Sequence, residues 1–253
     1  MGSGGKHNHE DRVAIVTGAA GGLGSATVQA LAGRGLRVLA ADVEELDDGS
    51  TGNEIVCVRA DVSDEAQVAG LVAQAIETWG RLDAMFNNAA MLGPVVPIEE
   101  YASQDFARVL DVNVLGVWLG MKYALPHLQS THGAVLNTSS VAGLGGWTNL
   151  SGYTAAKHAV VGLTRAAAIE YAARGVRVNA LCPGSMDTPM LWANADAISP
   201  DRAEAQEILE EAIPVGRLAA PAEVAVAAAW LLVDAPGFMT GAIVPVDGGQ
   251  TAT

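Results

Sequence analysis

The chain has 253 residues, 50% of them hydrophobic and 17% charged, with 28 acidic against 14 Lys and Arg side chains and a formal net charge of -14. That is enough apolar material for a sizeable core, and so acidic a surface excludes nucleic acid and anionic membranes as partners. The longest apolar run, Ala225–Val233, falls far short of the roughly 20 residues that span a bilayer, so the expectation is a soluble, cytoplasmic protein.

The first ten residues, MGSGGKHNHE, are polar and glycine-rich and read as a disordered lead without a secretory signal. From residue 11 onward, apolar bursts of strand length alternate with segments of helical period. The bursts are Val13–Thr17, Val38–Ala41, Ile55–Val58, Ala84–Asn87, Ala134–Thr138, Arg177–Cys182 and Ala242–Val246. Most lack polar alternation, which suits parallel strands buried on both faces. The helical segments are Leu23–Arg34, Asp64–Trp79, Ser103–Leu128, Tyr153–Ala173 and Pro221–Val233. Gly35, Gly80 and Gly175 read as stops, and Pro221 suits a first helical turn. No linker or repeat divides the pattern. It predicts one α/β domain over residues 11–253, a Rossmann-like doubly wound parallel sheet of about seven strands with helices on both faces. Ser139–Gly152 and the stretch from Pro183 to about Pro200 read as irregular; both follow strands, where such sheets build their sites. Cys57 and Cys182, the only cysteines, lie in or beside strand-like runs and read as buried thiols rather than a disulfide.

The first strand runs into TGAAGGLG, with Gly18, Gly22 and Gly24 crowding the turn that opens the first helix. Glycine lets backbone N–H groups approach an anion, and the helix terminus adds partial positive charge. Asp42 ends the second strand, 24 residues after Gly18. A carboxylate there suits an adenosine ribose and repels a 2′-phosphate, which favours NAD over NADP. Asp61, after the third strand, suits an adenine amino group or, read alone, a helix cap. Tyr153 and Lys157 stand four apart, on one face of a helix. A cation beside a phenol lowers its pKa and makes it a usable acid and base.

These motifs resemble those of the short-chain dehydrogenase/reductase family across residues 10–253. The matches are TGAAGGLG, DV at 61–62, NNAA at 87–90, Asn113 in LDVNVLG, Ser140 in NTSS, YTAAK at 153–157, PG at 183–184 and VDGG at 246–249. Ala90 departs from the family's usual glycine. The resemblance implies a catalytic tetrad of Asn113, Ser140, Tyr153 and Lys157, with Tyr153 as general acid/base, Ser140 holding the substrate oxygen and Asn113 bending its helix around a water. It implies cofactor contacts from Gly18, Gly22, Leu23, Gly24, Asp42, Asp61, Val62, Asn88, Tyr153, Lys157, Pro183, Gly184, Met186 and Thr188. It also implies a homotetramer. His127, His132 and His158 show no metal spacing, and no metal is expected.

On the substrate side, Ser140 and Tyr153 are joined by Leu144, Trp147, Leu150, Met190 and Trp192, with no Arg or Lys among them. The expectation is a neutral, largely apolar secondary alcohol or ketone, possibly cyclic. The alternatives are a 3-oxoacyl thioester (acyl carrier protein) reductase and a non-catalytic NAD-binding sensor.

Overall fold

The computed structural model describes residues 11–46 and 54–252; the polar lead lies outside them. In chain order the elements are β1 (Val13–Thr17), α1 (Gly22–Ala32), β2 (Arg37–Asp42), β3 (Ile55–Arg59), α2 (Glu65–Trp79), β4 (Ala84–Asn87), α3 (Ser103–Leu110), α4 (Gly116–Thr131), β5 (Ala134–Thr138), α5 (Ser151–Ala172), β6 (Arg177–Pro183), α6 (Pro189–Trp192), α7 (Arg202–Glu211), α8 (Pro221–Val233) and β7 (Ile243–Val246). All seven strands pair parallel in the order β3-β2-β1-β4-β5-β6-β7. The apolar bursts explain this: β1, β4, β5 and β6 are buried along their whole length. Leu31 of α1 and Leu232 of α8 cover one face; Leu71 of α2, Leu128 of α4 and Val160 of α5 cover the other. Strand order reverses at β1 and β4, so a crevice opens beyond their C-terminal ends.

Several local devices fix these elements. Gly35, Gly80 and Gly175 all sit at positive φ, as helix stops require. Asp64, not Asp61, caps α2, accepting from the N–H groups of Ala66 and Gln67; Asp61 instead accepts from Ser63 N and Oγ. Buried Arg177 donates to the carbonyls of Leu231 (2.7 Å) and Leu232 (2.9 Å), closing the C-terminal end of α8. Neither cysteine forms a disulfide.

Two expectations need correction. The segment Ser103–Leu128 is not one helix: a π turn at Asp111–Leu115 separates α3 from α4, and α4 runs on to Thr131, where His132 turns left-handed. The stretch from Pro183 to about Pro200 is not irregular throughout, because Thr188 and Pro189 start the short α6 within it; α7 follows, capped by Asp201. Among the described residues no helix is long and apolar enough to cross a membrane.

Candidate active site

The crevice at the β1–β4 switch has a volume of about 390 Å³. Its floor is the glycine turn. Gly18 has φ +68°, and a Cβ there would lie 2.7 Å from Ala89 Cα; a Cβ on Gly24 would collide with Gly18 O. The turn is therefore too tight for larger residues. No side chain caps α1, and its first turn holds no acidic residue, in contrast to the aspartate-capped α2 and α7. Its first N–H groups are left for an anion in the crevice. Asn88 braces the turn, donating to Thr17 O (3.1 Å) and Gly18 O (3.3 Å) and accepting from Thr138 Oγ1 (3.2 Å). At the far end, Asp42 accepts from Ala20 N (2.9 Å) and Glu44 N (3.1 Å). Gly18, Gly22, Leu23, Gly24, Asp42, Asn88, Pro183, Gly184, Met186 and Thr188 all line this one crevice. Donors for a pyrophosphate, a carboxylate for a ribose and a tight glycine floor together fit a dinucleotide. Asp61 and Val62 are not in the lining; Val62 is buried with Val68 and Leu119.

The reactive residues gather at the other end. Ser140 follows β5, and its Oγ accepts from Ala142 N at 3.1 Å. It hydrogen-bonds Tyr153, and both line the crevice. Lys157, one turn further along α5, is buried behind them. Its Nζ donates to Thr138 O at 2.9 Å and lies 5.3 Å from the Tyr153 ring centroid. Ser139 is a structural tie, its hydroxyl donating to Lys157 O at 2.9 Å. Asn113 sits in the π turn, fully buried. Its Nδ2 donates to Met91 O (2.9 Å) and Val109 O (2.8 Å), and its Oδ1 accepts from Met91 N (3.3 Å). The helix deforms where an asparagine side chain competes with its own ladder, and that side chain anchors the segment after β4.

Of the apolar candidates, only Met190 lines the crevice. Leu144, Trp147 and Leu150 stand outside its lining, and Leu144 and Trp147 are exposed. Trp192 faces elsewhere: its Nε1 donates to Asp187 Oδ1 (2.6 Å), the Arg202 guanidinium stacks 4.2 Å from its ring centroid, and both line a second cavity of about 290 Å³. No local pattern in the sequence signals this outward turn, which rests on the contacts with Asp187 and Arg202. The sequence reading also passed over Thr138, whose carbonyl holds Lys157, and Glu44, which lines the crevice beside Asp42.

A family model described as enoyl-(acyl carrier protein) reductase matches residues 18–251. The chain belongs to the short-chain dehydrogenase/reductase family. It is 43% identical over 249 residues to the cis-4-hydroxycyclohexanecarboxylate dehydrogenase of Sinomonas cyclohexanicum, covering 96% of this chain and 97% of that one. It is 42% identical to the 2,5-dichloro-2,5-cyclohexadiene-1,4-diol dehydrogenase of Sphingobium indicum, over 94% and 96% of the two chains. The crystal structure of levodione reductase superposes with a TM-score of 0.91 at 38% identity, covering 96% of this chain and 99% of that one. Short-chain dehydrogenases/reductases are oxidoreductases that act on CH–OH groups with a nicotinamide cofactor.

In this short-chain dehydrogenase/reductase the electrostatics of the tyrosine–lysine pair differ from the sequence expectation. Burial pushes the Tyr153 phenol up to about 12, against the lowering effect of the Ser140 hydrogen bond. Burial also drives Lys157 down to about 7. Desolvation disfavours the charged form of each group. The lysine's strongest link is to the Thr138 carbonyl rather than to the phenol, so in the protein alone it does not offset the tyrosine's burial.

Proposed function

We propose that the chain is an NAD-dependent dehydrogenase/reductase that interconverts a neutral, cyclic secondary alcohol and its ketone. The observation that carries this reading is the convergence of Ser140, Tyr153 and Met190 on the crevice that Asp42 and the glycine turn also line. When bound, the nicotinamide supplies the hydride acceptor or donor and, oxidised, a positive charge. Gly18, Gly22, Leu23, Gly24 and Asn88 hold the dinucleotide's phosphates and neighbouring sugars. Asp42 takes the adenosine ribose, and Pro183, Gly184, Met186 and Thr188 form the wall of the nicotinamide end. The cofactor contacts that the resemblance assigns to Asp61 and Val62 would have to be made from outside the crevice lining.

Ser140 holds the substrate oxygen, and Tyr153 exchanges a proton with it: the phenolate accepts one when the alcohol is oxidised, and the phenol returns it when the ketone is reduced. The charge that brings the phenol into working range comes from the loaded site together with Lys157, whose ammonium the Thr138 carbonyl orients. Asn113, the fourth member of the tetrad that the resemblance implies, holds the Met91 segment through its side-chain amide.

No Arg or Lys stands among the crevice lining, which favours an uncharged ring over a carboxylated one. The relatives support the ring: one is named for a cyclohexadiene diol, which is neutral, and the other for a hydroxycyclohexanecarboxylate, which is charged, so the neutral reading rests on the crevice lining and not on the relatives. An acyl carrier substrate would bring another acidic surface to a protein of net charge -14, which argues against the 3-oxoacyl reductase alternative. We further propose one domain over residues 11–253, a homotetramer and a cytoplasmic location. The test is a panel of cyclic and acyclic alcohols, neutral and carboxylated, with NAD and NADP in parallel. Preference for a carboxylated substrate would overturn the neutral-ring reading.

A further inference from the structure

At its adenosine end the crevice is lined by two carboxylates, Asp42 and Glu44. They form one unit, since Glu44 N donates to Asp42 Oδ1 at 3.1 Å. Directly beside them is a cation absent from the lining. Arg59 ends β3 and is the register partner of Asp42 on the neighbouring parallel strand, so both project from the same face of the sheet. The Arg59 Nε donates to Val43 O at 2.9 Å, which seats the exposed guanidinium at the Asp42–Glu44 turn. Among the described residues no carboxylate forms a salt bridge with it.

We infer that Glu44 is a second determinant of cofactor selectivity: with Asp42 it sets two negative charges at the adenosine ribose, and together these outweigh the Arg59 cation beside them toward a 2′-phosphate. The inference rests on the dinucleotide reading of the crevice. A 2′-phosphate placed at Asp42 would meet both carboxylates. At this exposed position each unit-charge repulsion changes affinity by about three- to tenfold. A single substitution at Asp42 leaves one of the two repulsions standing. Removing both charges leaves Arg59 as the nearest cation, with the planar donor fork that phosphate prefers.

The test measures binding and needs no turnover. Dissociation constants for NAD, NADP, 5′-ADP and 2′,5′-ADP are determined by calorimetry for the wild type, Glu44→Gln, Asp42→Asn, the double variant, and the double variant with Arg59→Met. Melting curves check that each is folded. The expected result is a fall of about three- to tenfold in the ratio of 2′,5′-ADP to 5′-ADP dissociation constants in Glu44→Gln. A further fall is expected in the double variant, with reversal when Arg59 is removed. Added salt should shrink these differences. A ratio unchanged in Glu44→Gln, with NAD binding retained, overturns the role of Glu44; no reversal by Arg59→Met overturns that of Arg59. A wild type that binds neither NAD nor 5′-ADP overturns the dinucleotide reading itself, which is a distinguishable failure.

Discussion

At the scale of single residues, burial sets the behaviour of the site. Lys157 titrates near 7 when folded and at about 10.5 otherwise. Between those values the unfolded chain holds more protons than the folded one, so this lysine makes stability rise with pH across that window. Below about pH 7 both states are protonated and the full desolvation cost stands. Tyr153 acts oppositely at higher pH: its folded value of about 12 exceeds the ordinary 10, so stability falls as pH rises above 10. Cofactor-free Lys157→Met is therefore expected to melt higher than wild type near neutrality, with the gap closing toward pH 10. Melting temperatures across that range check it, and parallel curves would contradict it. Tyr101 offers a second test. Among the described residues its buried Oη has no hydrogen-bond partner, and it lies against Gly93 and Gly152, where an added Cβ would lie 2.5 and 2.7 Å away. Tyr101→Phe should be neutral or stabilising by up to about 1 kcal/mol, because it removes an unsatisfied polar atom. Urea midpoints would reveal a loss of stability, which would mean that the oxygen has a partner such as a buried water.

At the scale of elements, the strands were legible in the sequence because each is a short apolar run between turn signals, although β3 and β7, at the sheet edges, are only partly buried. The glycine turn, Asp42, Ser140 and Tyr153, singled out from their residue types and from the family resemblance, line one crevice. The π turn was legible only as the bend at Asn113 that the family resemblance implies. Asp111–Leu115 has ordinary helical periodicity, and the break is explained by the hydrogen bonds of Asn113 to Val109 one turn back and to Met91, which the fold brings close. Helix α6 has four residues and no periodicity to read. The outward turn of Trp192 depends on a contact with Arg202 that no local pattern shows. Two substitutions test the element account. Asn113→Ala strands the Met91 and Val109 backbone groups and should cost about 1–3 kcal/mol, with kcat falling further than stability alone explains. Arg177→Met strands two buried carbonyls at the end of α8, each worth about 1–3 kcal/mol. Denaturant midpoints measure both, and a wild-type midpoint in Arg177→Met would show that α8 does not depend on that cap.

At the scale of the whole molecule, the doubly wound sheet brings residues from five strand ends to one crevice, and the acidic surface leaves that crevice without a lining cation. Phosphate binding must therefore rest on backbone N–H groups and the α1 terminus, which salt screens less than a pair of exposed side-chain charges. Ligand that binds only the folded state raises stability by about 2.7 kcal/mol at a hundred times its dissociation constant. For a chain of this size that shifts the melting temperature by very roughly 5–10 °C. NAD at that concentration should produce such a shift and NADP at the same concentration a smaller one; equal shifts would contradict the role given to Asp42.

The most direct test of the account is the formation of reduced nicotinamide from NAD and a panel of neutral cyclic secondary alcohols, by wild type and by Tyr153→Phe. The account predicts turnover in the wild type and a loss of about 10²- to 10⁴-fold in the variant, the usual contribution of a general acid or base, with NAD still bound. Turnover in Tyr153→Phe equal to that of the wild type would contradict it.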